Sequence, residues 1–167
     1  MKKYITLLFL AAAFGFVSCD VETKITPGGT AVEDMCGFWD VTVNGVDADG
    51  NIIDEDLLDG RFRFMTYNTA DNSSSQMWID DTESFWAIKF KVDVDYASRN
   101  FRAAMRPYDE AGTGNAEVLE GKILKNAGMS EHGMPCDSIF VSIRFDDDDP
   151  ASPYDHYTYQ GIRHGGY

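Results

Sequence analysis

The chain reads TAVEDMCGFWDVTVN from Thr30 to Asn44, and its hydrophobic period changes at Gly37. Before Gly37, a Thr three residues ahead of Glu33 predicts a capping box at the start of a helix of about two turns. After Gly37, apolar side chains alternate with polar ones, which predicts a strand with one buried and one wet face. The stretch therefore predicts a short helix that passes directly into the first strand of a sheet.

The same alternation recurs along the rest of the chain. About eight strands are predicted, separated by connections rich in Gly, Asp, Asn and Pro. The most regular runs from Ser84 to Asp95, and Asp49-Gly50 is a strong hairpin signal between Val46 and Ile52. We therefore predict an all-β, antiparallel fold closed into a barrel of about eight strands, with a β-sandwich as the alternative.

Aromatic and long apolar side chains dominate the predicted inner faces of the strands. An eight-stranded barrel either fills its interior with side chains or holds one small ligand. These side chains are therefore candidates to line a cavity for a hydrophobic molecule, and they can equally form a filled core. The candidates are Trp39, Phe62, Phe64, Trp86, Phe90, Met105, Tyr157 and Tyr159.

The N-terminus predicts export. Lys2 and Lys3 precede an apolar run and the small residue Ser18, so residues 1–18 are predicted to be a signal peptide. The sequence Phe-Val-Ser-Cys at 16–19 resembles a bacterial lipobox, which implies that Cys19 is acylated and becomes the first mature residue. An ordinary secretory signal with an incidental Cys is the alternative.

The next residues predict how the exported chain is held. Residues 19–28 are mostly polar and end in Pro-Gly-Gly, so we expect a lipidated Cys19 followed by a flexible tether. Residues 29–167 then form a single β domain. The predicted location is the bacterial cell envelope, with a lipid anchor in the outer membrane and the domain on its periplasmic or surface face.

The charge of the chain excludes several partners. A formal net charge of -14 would repel nucleic acid and anionic lipid headgroups. Contact with a membrane is therefore expected through the acylated Cys19 alone. No protein partner can be named from the sequence.

Two cysteines follow Cys19, namely Cys36 and Cys136. In an exported protein they are compatible with one disulfide, and two separate small buried thiols are the alternative.

The sequence contains no catalytic motif that we can identify. A Gly-x-Ser-x-Gly elbow, a His-Glu-x-x-His pair and a Ser-x-x-Lys arrangement are all absent. His156 beside Asp155 is a conceivable general base, and an exposed strand-end His is the alternative. His132 and Cys136 make half a zinc site. We predict no catalytic residue, no metal and no cofactor.

Family resemblance adds to this interpretation. Gly37-Phe38-Trp39 resembles the Gly-x-Trp motif of lipocalin-like barrels, which implies that Arg163 on the last strand packs on Trp39 and closes the barrel. Residues 28–43 together with residues 161–167 resemble the bacterial lipoprotein family called lipid-binding putative hydrolases. That resemblance implies a lipocalin-like barrel and lipid binding over nearly all of the mature chain.

Three functional hypotheses follow. The first is non-catalytic binding of a hydrophobic or lipid-like small molecule. The second is an accessory module of the envelope that binds another protein and has a filled core. The third is a weak esterase, whose activity would depend on His156.

Overall fold

The computed structural model describes residues 29–165. The predicted signal peptide, Cys19 and the tether lie outside the described residues. Within the described range one turn of 3₁₀ helix, Glu33–Met35, is followed by nine strands. The strands are β1 Gly37–Val46, β2 Ile52–Asp54, β3 Phe62–Asn68, β4 Gln76–Asp80, β5 Lys89–Asp95, β6 Asn100–Pro107, β7 Asn115–Met129, β8 Pro135–Phe145 and β9 His156–Arg163.

Eight of the strands close into one antiparallel barrel. Each strand from β3 to β8 pairs with the strand that follows it, and β1 pairs with both β3 and β9. The short β2 is an additional strand that pairs only with the end of β1, at Gly45 and Val46. The predicted antiparallel barrel is confirmed. The sandwich alternative is wrong, because the pairing of β1 with β9 leaves no separate second sheet.

Because neighbouring strands are antiparallel, the connections alternate between the two ends of the barrel. One end carries residues 47–61, 81–88, 108–114 and 146–155, and we call it the rim. The other end carries the 3₁₀ helix and residues 69–75, 96–99 and 130–134, and we call it the base. The described chain begins and ends at the base.

The helix at the base is shorter than predicted. It is a single 3₁₀ turn whose N-cap residue is Val32, and no side chain caps it. The capping box is wrong because the Glu33 carboxylate lies against Gly29 instead of returning to the Thr30 amide. Packing fixes the turn, since Val32 and Met35 are fully buried and Thr66 Oγ1 donates a 2.6 Å hydrogen bond to the Met35 carbonyl.

The predicted long strand from Ser84 to Asp95 is half loop. Only Lys89–Asp95 is a strand, and residues 81–88 form a compact turn. The Asp81 carboxylate accepts backbone N–H groups from that turn, so the turn needs no strand partner. Thr82 and Ala87 have φ angles of 56° and 57°, which a strand does not allow.

The interior of the barrel is packed with side chains. One continuous core cluster runs from Val32 at the base to Tyr157 near the rim, so residues 29–165 contain a complete barrel with its own core. In the described range no helix is long and apolar enough to cross a membrane.

Candidate ligand site at the rim

Aromatic rings fill the barrel at its rim end. Tyr159 of β9 is fully buried between Phe62 and Phe64 of β3, with each pair of ring centroids 5.5 Å apart in edge-to-face geometry. Tyr157, one inward position closer to the rim, is 5.9 Å from Phe145 of β8. The alternation of these strands places all five rings inside the barrel.

The loop 81–88, which we call the rim loop, covers these rings. Its Phe85 ring lies 5.1 Å from that of Tyr157 and 6.1 Å from that of Tyr159. Its Trp86 ring stacks on Phe145 at 4.3 Å with an interplanar angle of 6°. Phe85 and Trp86 are only half-buried, so they form the outer surface of the core at this end.

Asp81 holds the rim loop in place. The residue is fully buried, and its carboxylate accepts N–H groups from Glu83 at 3.2 Å, Phe85 at 3.2 Å and Trp86 at 2.9 Å. Burial raises the pKa of Asp81 above its ordinary value, although these N–H donors act in the opposite direction. The carboxylate therefore fixes the backbone immediately beside the two aromatic side chains.

A second carboxylate, from the β8–β9 connection, ties down Trp86. Asp147 accepts a hydrogen bond from Trp86 Nε1 at 3.2 Å and another from the Tyr108 hydroxyl at 2.8 Å. Burial and the neighbouring Asp147 raise the pKa of Tyr108 to about 12, so its hydroxyl remains a donor at neutral pH. The rim loop is thus held from two sides.

The hydroxyl of Tyr159 has no hydrogen-bond partner among the described residues. Burial and the charge of Asp81 raise the pKa of this phenol well above its ordinary value, so it is neutral. The neighbouring Tyr157 differs, because its hydroxyl donates a 2.7 Å hydrogen bond to Asp148. Tyr159 therefore presents an unused polar group in an otherwise aromatic environment.

The rim is strongly acidic. Acidic residues outnumber basic ones in each of its four connections, and residues 146–149 are four consecutive aspartates. A cleft of about 400 Å³ lies beside the rim loop, and Ala87, Ile88, Asp109 and Glu110 are among its lining residues. Carboxylates therefore line the cleft beside the rim loop.

The predicted lining residues are distributed unevenly. Phe62, Phe64, Trp86, Tyr157 and Tyr159 come together at the rim as described above. Trp39 is fully buried, but it lies at the base, and Phe90 is buried on β5.

Met105 is not an interior residue, which corrects the prediction for it. Its exposed fraction is 44%, because the register of β6 against β7 shifts between Ala103 and Arg106 and turns Met105 outward.

Trp39 and Arg163 meet at the base. They are directly opposed in the β1–β9 pairing, and the Arg163 guanidinium lies 4.6 Å from the centroid of the Trp39 ring. Arg163 also donates to the Cys36 carbonyl at 2.8 Å and to Asp137 at 3.2 Å.

Cys36 and Cys136 are free, half-buried thiols in the structure. A disulfide between them stays a prediction.

The three histidines lie apart from the aromatic interior. His156 Nδ1 is 3.1 Å from the Asp155 carboxylate, and His164 Nδ1 is 2.7 Å from that of Asp40. His132 is exposed in the β7–β8 turn. Within residues 29–165 no group of three His, Cys, Asp or Glu side chains is placed to hold a metal ion.

Sequence reasoning missed Asp81, Phe85 and the free hydroxyl of Tyr159. A usable signal was the cluster Asp80-Asp81-Thr82-Glu83-Ser84, whose residue types bind their own backbone in turns. It stands directly before the aromatic pair. The unpaired hydroxyl has no sequence signal, because it depends on which side chains meet across the barrel.

A family model described as "Lipid-binding putative hydrolase" matches residues 24–167. No curated protein matches the chain.

Proposed function

Since the chain belongs to the family of lipid-binding putative hydrolases, we propose that it binds a hydrophobic or lipid-like small molecule without transforming it, as a lipid-anchored protein of the bacterial cell envelope. The family description supports the ligand class. The non-catalytic role and the location are our own proposals.

The aromatic interior at the rim is the observation that carries the ligand proposal. Most of the barrel is closed by hydrogen-bonded strands, but at its rim end the side chains of Phe85 and Trp86 on one loop cover the rings of Tyr157 and Phe145. A loop held by a few side-chain hydrogen bonds opens at lower free-energy cost than a barrel wall does. The rim loop is therefore the natural route to the interior.

Uptake of an uncharged apolar probe tests this proposal. Residues 29–167, which contain the complete barrel, are titrated with N-phenyl-1-naphthylamine, whose fluorescence rises in an apolar site. We expect saturable binding of the probe. We also expect the substitution Phe85→Ala to change the dissociation constant of the probe. The matched control is Phe38→Ala, which truncates an aromatic ring that is 53% exposed on the outer wall of β1. An absence of saturable binding, or binding lost only in the Phe38 variant, would contradict the proposal.

The anchor is a separate part of the proposal. It is supported by the sequence of residues 1–19, where an apolar run ends in Ser18-Cys19. We expect the mature chain to start at Cys19, to carry acyl chains in its mass spectrum and to partition with membranes. Cys19→Ala should release the chain into the soluble fraction. An unmodified Cys19 in the mature chain would contradict the anchor.

A second function, docking of another envelope protein, is favoured by the outer wall of the barrel. Phe38 of β1 lies opposite Met65 of β3, and Tyr67 of β3 lies opposite Trp78 of β4 on the same face. A pull-down from membranes should then recover one stoichiometric partner that Phe38→Ala loses, and recovery of none would remove this candidate.

A further inference from the structure

We propose that the Tyr159 hydroxyl is the polar anchor of the rim site, that it binds the uncharged, hydroxyl- or amide-bearing head of an amphiphile, and that the rim loop opens to admit it. This inference rests on the proposed function and narrows it to one class of ligand. It also gives a role to the buried carboxylate of Asp81, which the ligand proposal alone does not explain.

The first step is the unused hydroxyl. Buried tyrosine hydroxyls almost always form a hydrogen bond, because an unpaired polar group in an apolar environment is costly. Tyr159 is fully buried, and its hydroxyl has no partner among residues 29–165. The rings of Phe62, Phe64 and Phe85 surround its own ring. A ligand that brings one polar atom into this aromatic space would satisfy the hydroxyl.

The second step is the charge of the surroundings. Asp81 is the first residue of the rim loop and accepts the Trp86 N–H, Asp147 accepts the indole N–H of Trp86, and Asp148 accepts the Tyr157 hydroxyl. The negative charge of Asp81 reaches Tyr159, because it contributes to the raised pKa of that phenol. An anionic head such as a fatty-acid carboxylate would be repelled here. A quaternary ammonium head cannot accept a hydrogen bond from the phenol.

The third step is what opening the loop would expose. In the closed loop the N–H groups of Phe85 and Trp86 occupy one oxygen of Asp81. When these two residues move outward, that oxygen becomes free to accept a hydrogen bond. A hydroxyl or amide head can then accept from Tyr159 and donate to Asp81, while its apolar chain takes the space that the two aromatic side chains leave.

The fourth step is the loop itself. Thr82, Glu83 and Ala87 all have φ angles between 56° and 59°, a region that is unfavourable for residues with a Cβ. The closed conformation is therefore held against local strain by the Asp81 and Asp147 contacts. The cleft of about 400 Å³ beside Ala87 and Ile88 gives the loop room to move.

Matched twelve-carbon amphiphiles test the head class. Residues 29–167 are titrated by calorimetry with monolauroylglycerol, laurate and dodecyltrimethylammonium, each below its micelle concentration. We expect monolauroylglycerol to bind roughly tenfold tighter than either charged probe. Equal or tighter binding of laurate would overturn the assignment of an uncharged head.

Tyr159→Phe tests the anchor, since it removes the hydroxyl and keeps the ring. We expect its affinity for monolauroylglycerol to fall roughly tenfold, while its melting temperature rises by about 2–4 °C because a buried unpaired group is gone. These opposite changes separate a ligand contact from a structural role. The control is Tyr67→Phe, which removes a hydroxyl that is bonded to Asp80 near the outer wall and should leave binding unchanged.

The remaining outcomes also decide the matter. Unchanged affinity in Tyr159→Phe would overturn the anchor. If N-phenyl-1-naphthylamine binds and monolauroylglycerol does not, the ligand class fails and the proposed function stands. If no probe binds, both fail. For the rim loop we expect Phe85→Ala to accelerate association, because the ring that must be displaced is absent, and an unchanged rate would overturn that assignment.

Discussion

Arg163 connects three parts of the base through one side chain. Its guanidinium covers the Trp39 ring, bonds the Cys36 carbonyl and pairs with Asp137. A planar guanidinium can make all three contacts at once, because it stacks on an aromatic ring and donates several N–H groups in one plane. A lysine ammonium has no planar surface and no such arrangement of donors. The residue therefore stabilises the junction of the first strand, the last strand and the 3₁₀ helix.

Arg163→Lys should lower the free energy of unfolding by about 2 kcal/mol, because it weakens both the cation–π contact and the carbonyl hydrogen bond. Urea denaturation measures the change. Arg144→Lys is the matched control, because Arg144 pairs with Glu117 on the half-exposed outer face and should cost about 0.5 kcal/mol or less. Equal effects of the two substitutions would contradict this role for Arg163.

Two aspartates should respond to pH in opposite directions. Burial raises the pKa of Asp81 above 3.8, so its folded state takes up a proton more readily than the unfolded chain. Its contribution to stability therefore falls as pH rises from 3.8 through the folded-state pKa. For Asp137, burial is outweighed by the Asn126 N–H and the charge of Lys125, which lower its pKa. The contribution of Asp137 to stability is present above pH 3.8 and is lost as the pH falls through its lowered folded-state pKa.

Urea unfolding of the wild type, Asp81→Asn and Asp137→Asn from about pH 3 to pH 7 checks this expectation. The stability advantage of the wild type over Asp81→Asn should shrink as pH rises. Its advantage over Asp137→Asn should shrink as pH falls below 3.8. Parallel curves for the two variants would contradict the environments assigned to these carboxyl groups.

Among the elements, the pairing of β1 with β9 turns an open sheet into a barrel. Gly161 of β9 lies opposite Val41 at this seam. A Cβ on Gly161 would overlap the Asp40 carbonyl oxygen and come within 2.7 Å of the Val41 Cα. The strands can therefore approach closely only because position 161 carries no side chain.

Gly161→Ala should cost roughly 1–3 kcal/mol of unfolding free energy, since rigid backbone must move to accept the methyl group. Chemical denaturation measures this change. Gly29→Ala is the control, because its Cβ would meet only the end of the flexible Glu33 side chain, and we expect a change within about 0.5 kcal/mol. A similar small effect at Gly161 would show that the seam is not tightly closed.

The elements also show how far the sequence reaches. Strand alternation placed Phe62, Phe64, Tyr157 and Tyr159 inside the barrel, where the structure has them. Alternation failed where a side chain, and not a neighbouring strand, accepts the backbone N–H groups. From Ser84 to Ile88 the residues alternate like a strand, but the Asp81 carboxylate takes the N–H groups that a strand would share with its neighbour.

A register shift is equally invisible in a single sequence. Met105 has the same parity as Phe101 and Ala103, so alternation assigns it to the interior. The bulges between β6 and β7 reverse that assignment. The candidate site was therefore predictable as a set of aromatic residues on strands. Its loop, its buried carboxylate and its free hydroxyl depend on contacts between residues far apart in the sequence.

At the scale of the whole molecule, charge is distributed unequally between the two ends. The net charge is -14, and acidic residues dominate every connection at the rim. Like charges this close repel one another and lower the stability of the compact state, and salt screens that repulsion.

Raising sodium chloride from about 20 mM to about 500 mM should therefore increase the free energy of unfolding. Neutralising two exposed rim residues, with Asp49→Asn and Glu110→Gln, should reduce this salt response. The control variant neutralises Asp71 and Glu131 at the base by the same amide substitutions and should respond more like the wild type. Thermal melts at the two salt concentrations measure the effect, and identical responses of the two variants would contradict a rim-centred repulsion.

The described chain starts at the base, on the opposite end from the rim loop. In a chain anchored through Cys19, the tether would join the domain at the base, so the mouth of the barrel would lie on the end away from the attachment point. A guest molecule could then reach the mouth through the aqueous space or from a facing membrane without passing the anchor. Access to the interior would therefore stay open while the chain is held at its own membrane.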